Sequence, residues 1–147
     1  MTNEINEFML ELDINCPRAT AWECLLNRMS LWWPKDFLCL EGSTEIKLEP
    51  WAGGRLYEET AAGGHILWAN VVMIQPNSVL ETVGAITPTF GGPSMNFCRM
   101  MLEDGEDGKT KFKLVNTVLG NMNPESKGHI EGGWGYLFGA FKAFCES

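Results

Sequence analysis

Two adjacent carboxylates and two histidines are the residues best suited to acid–base chemistry. Glu58 and Glu59 follow one another in a predicted strand, where neighbouring side chains point to opposite faces, so only one can face an interior. Burial would raise the pKa of that carboxyl and make it a candidate general acid or base, whereas a solvated face is the default. His129, near the start of the last predicted helix, could face a pocket or the surface. His65 opens a strand and is predicted to be exposed.

The sequence lacks the spacing of a metal site or of an activated nucleophile. His65 and His129 have no second histidine or cysteine at ligand spacing, and a zinc site needs three or four converging ligands. We therefore predict no bound metal and no cofactor. The nucleophile elbow, the phosphate-binding loop and the dinucleotide-binding fingerprint are absent from the sequence. Catalytic residues are left unassigned.

Asn116 and Asn96 are candidate hydrogen-bonding groups deep in the fold. By the period of two, Asn116 shares a strand face with Phe112 and Leu114, and Asn96 shares one with Cys98. A buried amide without a partner costs roughly 1–3 kcal/mol. Each asparagine should therefore bond to backbone, to water or to a ligand.

Arg55 and Arg99 could hold a ligand carboxylate, or could lie on the outer face of a sheet. In a strand, Arg55 would lie on the same face as Tyr57, and Arg99 on the same face as Phe97. The sequence does not decide which strand face meets a cavity, and the outer face is the default for both arginines.

Period-two alternation and turn signals predict seven short strands and helices at two places. A helical pattern at 17–29 follows the first strand and predicts a short helix, and a helix at 128–147 ends the chain. Short connections between most strands indicate an antiparallel meander, with a hairpin at 104–109 and a longer loop at 84–93. The predicted strands are 8–14, 46–48, 55–60, 65–74, 79–83, 95–103 and 111–119.

The last helix combines an aromatic stripe with several glycines. Trp134, Leu137, Phe138 and Phe141 share one face at helical spacing. Each glycine costs a helix about 0.5–1 kcal/mol relative to alanine. Either tertiary packing compensates for this cost, or the helix must approach other backbone closely at Gly132, Gly133, Gly135 and Gly139.

Composition limits the class of protein and its partners. With 147 residues and 45% hydrophobic residues, the chain is predicted to be a single globular domain over 1–147. A net charge of −8 argues against nucleic acid and anionic membrane as partners. No secretory signal or membrane-spanning stretch is evident, and five scattered cysteines suit a reducing compartment. We predict a cytoplasmic protein without membrane insertion, and a homodimer is left open.

Several short motifs in order along the chain resemble one superfamily. CPRATAWECL at 16–25 resembles the helix opening of the SRPBCC superfamily, which includes START-like and Bet v 1-like domains. The tryptophan pair at 32–33, GGRLYEE at 53–59, LWANV at 67–71 and the hairpin around 102–112 resemble its branch named after the activator of the Hsp90 ATPase. The resemblance implies an α+β helix-grip (Bet v 1-like) fold, in which a seven-stranded curved antiparallel sheet wraps a long C-terminal helix, with two short helices after strand 1.

The same resemblance implies a cavity between the sheet and the last helix, which often holds a small apolar or amphipathic molecule. We therefore predict a small-molecule-binding domain with the 84–93 loop as a lid. Relatives also include polyketide cyclases, so an enzyme of the cyclase, aromatase or small hydrolase type is the alternative, and a chaperone-interacting domain is less favoured. The predicted lining is Trp32, Trp33, Trp51, Tyr57, Trp68, Asn96, Asn116, Trp134, Phe138 and Phe141. For the aromatic residues among them, simple core packing is the competing interpretation.

Overall fold

A computed structural model describes residues 4–122 and 124–147 of the chain. Seven antiparallel strands form one sheet in the order β1-β7-β6-β5-β4-β3-β2. The first strand therefore pairs with the last, from Glu4 opposite Gly120 to Ile14 opposite Thr110. The strands are β1 (Glu4–Ile14), β2 (Ile46–Leu48), β3 (Arg55–Glu59), β4 (His65–Gln75), β5 (Val79–Ile86), β6 (Ser94–Asp104) and β7 (Thr110–Gly120).

Three α-helices accompany the sheet: α1 (Arg18–Asn27), α2 (Met29–Trp32) and α3 (Pro124–Cys145). The helical pattern after β1 is broken at Arg28, whose φ of −124° is not helical, which separates the two short helices. Short 3₁₀ turns lie at Lys35–Phe37, Pro88–Phe90 and Glu106–Gly108. Register shifts in the β3–β4 and β4–β5 pairs are typical of bulges, which bend a sheet.

The core lies between α3 and the inner face of the sheet. Alternate residues of β7, from Thr110 to Val118, are buried. The ring of Phe112 lies 4.7 Å from that of Phe138 and 5.4 Å from that of Phe141, measured between ring centroids. Trp32 of α2 packs on Phe141 at 5.0 Å. These contacts bury the predicted aromatic stripe of the last helix.

The predicted helix-grip architecture is confirmed, with seven antiparallel strands, two short helices after β1 and a long C-terminal helix. The boundaries differ at α3, which begins at Pro124 and not at 128, and at β5, which continues to Ile86 into the predicted 84–93 loop. Gly84 explains the second difference. A Cβ atom on it would lie 2.1 Å from the Trp68 carbonyl oxygen, so this glycine serves close strand packing and not a loop.

The α3 glycines do not mark a close approach of backbones, which leaves compensation by tertiary packing as the other of the two alternatives. A Cβ atom built on Gly132, Gly133, Gly135 or Gly139 meets no atom within 4 Å outside the helix's own nearby backbone. Burial of the aromatic stripe on the opposite face therefore has to offset the low helix propensity of these residues.

We expect Gly132→Ala and Gly139→Ala each to raise the free energy of unfolding by about 0.5–1 kcal/mol, because alanine restricts the unfolded chain and meets free space in the fold. Urea unfolding followed by tryptophan fluorescence measures this. Gly84→Ala is the matched control and should destabilise the protein. Stabilisation by Gly84→Ala, or marked destabilisation by the helix variants, would contradict the packing described.

Candidate ligand-binding site

A cleft of about 320 Å³ lies between α3 and the β1 edge of the sheet. Phe8 and Leu10 of β1 and Leu114 of β7 supply its apolar floor, because these positions share the inner face of the paired strands. Trp134 forms the wall on the helix side. The remaining lining residues are Glu7, Met9 and Glu131.

Contacts between α3 and β1 hold the helix at both ends of this cleft. Lys127 Nζ lies 3.2 Å from Glu4 Oε2 near the start of the helix. Near its end, Lys142 Nζ donates a hydrogen bond of 2.6 Å to the Asp13 carbonyl oxygen. Exposed ion pairs of this kind contribute little energy. Their positions nevertheless show that the helix and the strand are joined above and below the cleft.

Asn116 positions the tryptophan that walls the cleft. Trp134 Nε1 donates to Asn116 Oδ1 at 2.9 Å, and Asn116 Nδ2 donates to Asn96 Oδ1 and, at 3.1 Å, to the Phe97 carbonyl oxygen. Asn116 is 1% exposed. The predicted need for a hydrogen-bonding partner is therefore met within the protein. Asn116 fixes the indole of Trp134 and has both ends of its amide occupied.

The other predicted lining residues of the helices lie in the core. Trp32, Phe138 and Phe141 are buried and contact one another, with Trp32 Nε1 donating to the Cys24 carbonyl oxygen at 2.8 Å. Trp33 is half-buried, with its ring 6.0 Å from that of Trp32. These rings fill the space between the C-terminal half of α3 and the sheet, which agrees with the core interpretation. Their contact with a ligand stays a prediction.

Trp51 and Tyr57 do not line the α3–β1 cleft, although Tyr57 lines a second groove described below. The contact of these two residues with a ligand stays a prediction. Trp51 is 58% exposed in the turn before β3. Tyr57 faces outward, with the Arg55 guanidinium 4.3 Å from its ring centroid. Strand parity is the physical reason, since Tyr57 and the buried Glu58 must point to opposite faces. Arg99 also lies on the outer face, 3.6 Å from Glu81, so the default for both arginines is confirmed.

Glu58 enters the interior, but as a structural carboxylate. It is 0% exposed. The Cys39 N–H donates to both of its oxygens at 3.1 Å, the Leu40 N–H donates to Oε2 at 3.2 Å, and Trp68 Nε1 donates to Oε1 at 3.0 Å. Burial alone would raise the pKa of Glu58, but these donors outweigh it and lower the pKa. The default of a solvated face therefore does not hold for Glu58, and the raised pKa considered for a buried carboxyl is not found.

The remaining acid–base candidates lie at the surface. Glu59 faces outward, where Lys47 Nζ lies 2.6 Å and His65 Nε2 3.0 Å from its carboxylate. His65 is exposed, as predicted, and so is His129. Within residues 4–122 and 124–147, no group of His, Cys, Asp and Glu is placed to hold a metal ion.

Trp68 and the segment predicted as a lid contact each other. Trp68 is half-buried, and its ring lies 4.8 Å from that of Phe90 in the 3₁₀ turn after β5. The loop therefore folds against β4 in this structure. Its movement as a lid stays a prediction.

A second groove of about 340 Å³ lies between the α1–α2 turn and the edge strand β2. Three charged side chains, Glu45, Lys47 and Glu49, and the polar Asn27 and Ser30 line it together with apolar residues. A ligand would have to displace water from these charges, so the groove is less suited to an apolar molecule than the α3–β1 cleft.

Sequence reasoning found Trp134 but missed Phe8, Leu10 and Leu114 as lining residues. The alternation of β1 and β7 marks these three as inward-facing. They form one lining only because β1 pairs with β7, whose residues are about a hundred positions away in the chain. No local sequence pattern indicates that pairing.

Comparison with solved structures places this architecture among known folds, although the sequence matches no protein-family model and none of the curated proteins. Ara h 8.0201 has the same architecture, with a TM-score of 0.73 and 14% sequence identity. The match covers 97% of this chain and 98% of the Ara h 8.0201 chain. The chain has a helix-grip fold. An uncharacterized protein from Rhizobium leguminosarum superposes with a TM-score of 0.76 and 18% identity, over 99% and 97% of the two chains.

An anthrahydroquino-gama-pyrone synthase, Txn09, shares the helix-grip fold less closely. Its TM-score is 0.54 with 21% identity, and the match covers 79% of each chain. Identities this low establish the fold and leave the chemistry to the site. Among the described residues, no helix is long and apolar enough to cross a membrane.

We expect Glu58→Gln to lower the free energy of unfolding at pH 7 by about 1–3 kcal/mol, because its amide group would face N–H donors that need an acceptor. The lowered pKa of Glu58 makes its carboxylate stabilising above the ordinary Glu pKa, and that stabilisation is lost as the pH falls through the folded-state pKa. The difference between wild type and variant should therefore shrink below about pH 4.

Urea unfolding at pH 7 and at pH 3.5 measures both effects, and Glu59→Gln on the outer face is the matched control. An equal loss in the two variants, or a Glu58→Gln deficit that does not change with pH, would show that Glu58 is not a buried, charged acceptor.

Proposed function

We propose that this protein binds a small apolar or amphipathic molecule in the cleft between α3 and β1. The observation that carries the proposal is the cleft itself, with a floor of Phe8, Leu10 and Leu114 and a wall of Trp134. Its volume of about 320 Å³ lies at the lower end of the range of small-molecule sites, roughly 300–1,000 Å³.

The charged residues of the cleft favour a ligand without a negative charge. Glu7 and Glu131 are the ionisable residues of the lining, and its described residues include no lysine or arginine. An anionic ligand would leave water for a site that offers nearby negative charge and no cation, so a neutral molecule suits the site better.

The surrounding findings bear on the alternatives. An acid–base enzyme needs a titratable group held in place for proton transfer. Of the candidates predicted from the sequence, Glu58 is saturated by hydrogen bonds and His129 is exposed. Membership of the branch named after the activator of the Hsp90 ATPase is supported by the motifs at 32–33, 53–59 and 67–71. We place the chain with the SRPBCC binding domains of that branch, without a chaperone role. The free cysteines support a cytoplasmic location, and a homodimer stays a prediction.

We expect N-phenyl-1-naphthylamine to bind with enhanced fluorescence, and Leu10→Trp to weaken its binding at least about tenfold by filling the cleft. Fluorescence titration gives the Kd. Leu48→Trp is the matched control, because Leu48 is equally half-buried but lines the second groove. Loss of binding in Leu48→Trp but not in Leu10→Trp would move the site to the second groove and refute the proposal.

We also expect 8-anilino-1-naphthalenesulfonate, which adds a sulfonate to the same aromatic framework, to bind about tenfold or more weakly than the neutral probe at low salt. Glu7→Gln combined with Glu131→Gln should narrow this difference, because it removes both carboxylates of the cleft. Equal affinities for the two probes in the wild-type protein would contradict the preference for neutral ligands.

A further inference from the structure

Three buried thiols converge where the end of α3 meets the end of β1. The thiol of Cys145 neighbours those of Cys16 and Cys24, which contribute, after burial, to its raised pKa. All three residues belong to the same hydrophobic core cluster, with exposed fractions of 8% for Cys16, 6% for Cys24 and 6% for Cys145. Because they come from the bend after β1, from α1 and from α3, no spacing in the sequence indicates that they meet.

Hydrogen bonds next to Cys16 and Cys145 hold these two residues together. The Asn15 N–H donates to Glu146 Oε2 at 2.8 Å, which joins the residue before Cys16 to the residue after Cys145. The Cys16 carbonyl oxygen accepts a hydrogen bond of 2.7 Å from Thr110 Oγ1. Cys16 is therefore anchored to the sheet, and the last turn of α3 is tied to the adjoining backbone.

We propose that Cys16 and Cys145 form a reversible intramolecular disulfide when hydrogen peroxide oxidises the protein. The Cys16 thiolate attacks the peroxide oxygen, which gives a sulfenic acid and, after protonation, one water molecule. The sulfur of Cys145 then attacks that of Cys16, its proton leaves with the hydroxyl group as a second water, and the S–S bond forms. Two thiols and one peroxide thus become one disulfide and two waters, and the proposal does not depend on the ligand-binding function.

Cys16 is the better attacking sulfur of the pair. Burial raises the pKa of its thiol, but the hydrogen bond from Cys145 offsets part of that rise. Burial also raises the pKa of Cys145, strongly, and its contacts with the other two thiols add to the rise.

The other two cysteines provide internal controls. Cys98 is buried, with Thr82 and Asn116 as its hydrogen-bonding neighbours, and burial raises the pKa of its thiol to about 12. Cys39 is exposed. Oxidation of Cys39 by the peroxide would report only that this thiol is accessible. Oxidation of Cys98 would report that the protein has unfolded.

The sequence allows the pairing to be determined by trypsin digestion. Each cysteine falls in its own tryptic peptide: Cys16 in 1–18, Cys24 in 19–28, Cys39 in 36–47, Cys98 in 56–99 and Cys145 in 143–147. The folded protein is treated with hydrogen peroxide and then unfolded in guanidinium chloride, so that every remaining free thiol is alkylated with N-ethylmaleimide. The peptides are identified by mass spectrometry.

We expect the 1–18 peptide linked to the 143–147 peptide to exceed any other linked pair about tenfold, with Cys98 fully alkylated and the link removed by dithiothreitol. Oxidised protein should also unfold at a higher temperature than reduced protein, because the link joins residues near both ends of the chain.

Cys24→Ser should retain the link and the shift in unfolding temperature, and Cys145→Ser should lose both. A link from 19–28 to 143–147 in place of the expected one, or no link to 143–147, would overturn the proposal. The wild-type digest decides this even where Cys145→Ser fails to fold.

Discussion

The packing of three phenylalanine rings between α3 and the sheet is the contact on which the rest of the structure depends. Phe138 and Phe141 of the helix close on Phe112 of β7, and Trp32 brings α2 against the same rings. Buried aromatic rings contribute several kcal/mol, which outweighs the cost of glycines on the exposed side of α3. Because the rings fill the C-terminal half of the interface, space for a ligand is left towards the N-terminal half of the helix, beside β1.

Buried polar groups define the positions of the tryptophans around this core. Asn116 of β7 accepts a hydrogen bond from the indole N–H of Trp134, and Glu58 of β3 accepts one from the indole N–H of Trp68. In both cases the polar group is almost inaccessible to water and its hydrogen bonds are made within the protein. A buried amide or carboxylate in that state orients its neighbours and is poorly suited to proton transfer. Asn116 and Glu58 therefore have a structural role at these two tryptophans.

Much of the fold could be predicted from local patterns. The alternation Phe8, Leu10, Leu12 marked β1, and the glycines of the 104–109 turn marked the β6–β7 hairpin. The stripe from Trp134 to Phe141 marked the buried face of α3. Where boundaries were wrong, the reason was tertiary, since Gly84 resembled a loop residue until the nearby Trp68 carbonyl explained it.

The candidate site was much less predictable than the fold. By itself the sequence determined the strand and helix periods, the order of the elements and the fact that Glu58 and Glu59 face opposite sides. Only the tertiary structure decided which of the two is inside, that Phe8 and Leu114 line one cleft, and that Cys16, Cys24 and Cys145 meet. The physical reason is that periodicity reports a residue's own strand or helix, whereas these outcomes depend on pairing and packing between residues far apart in the chain.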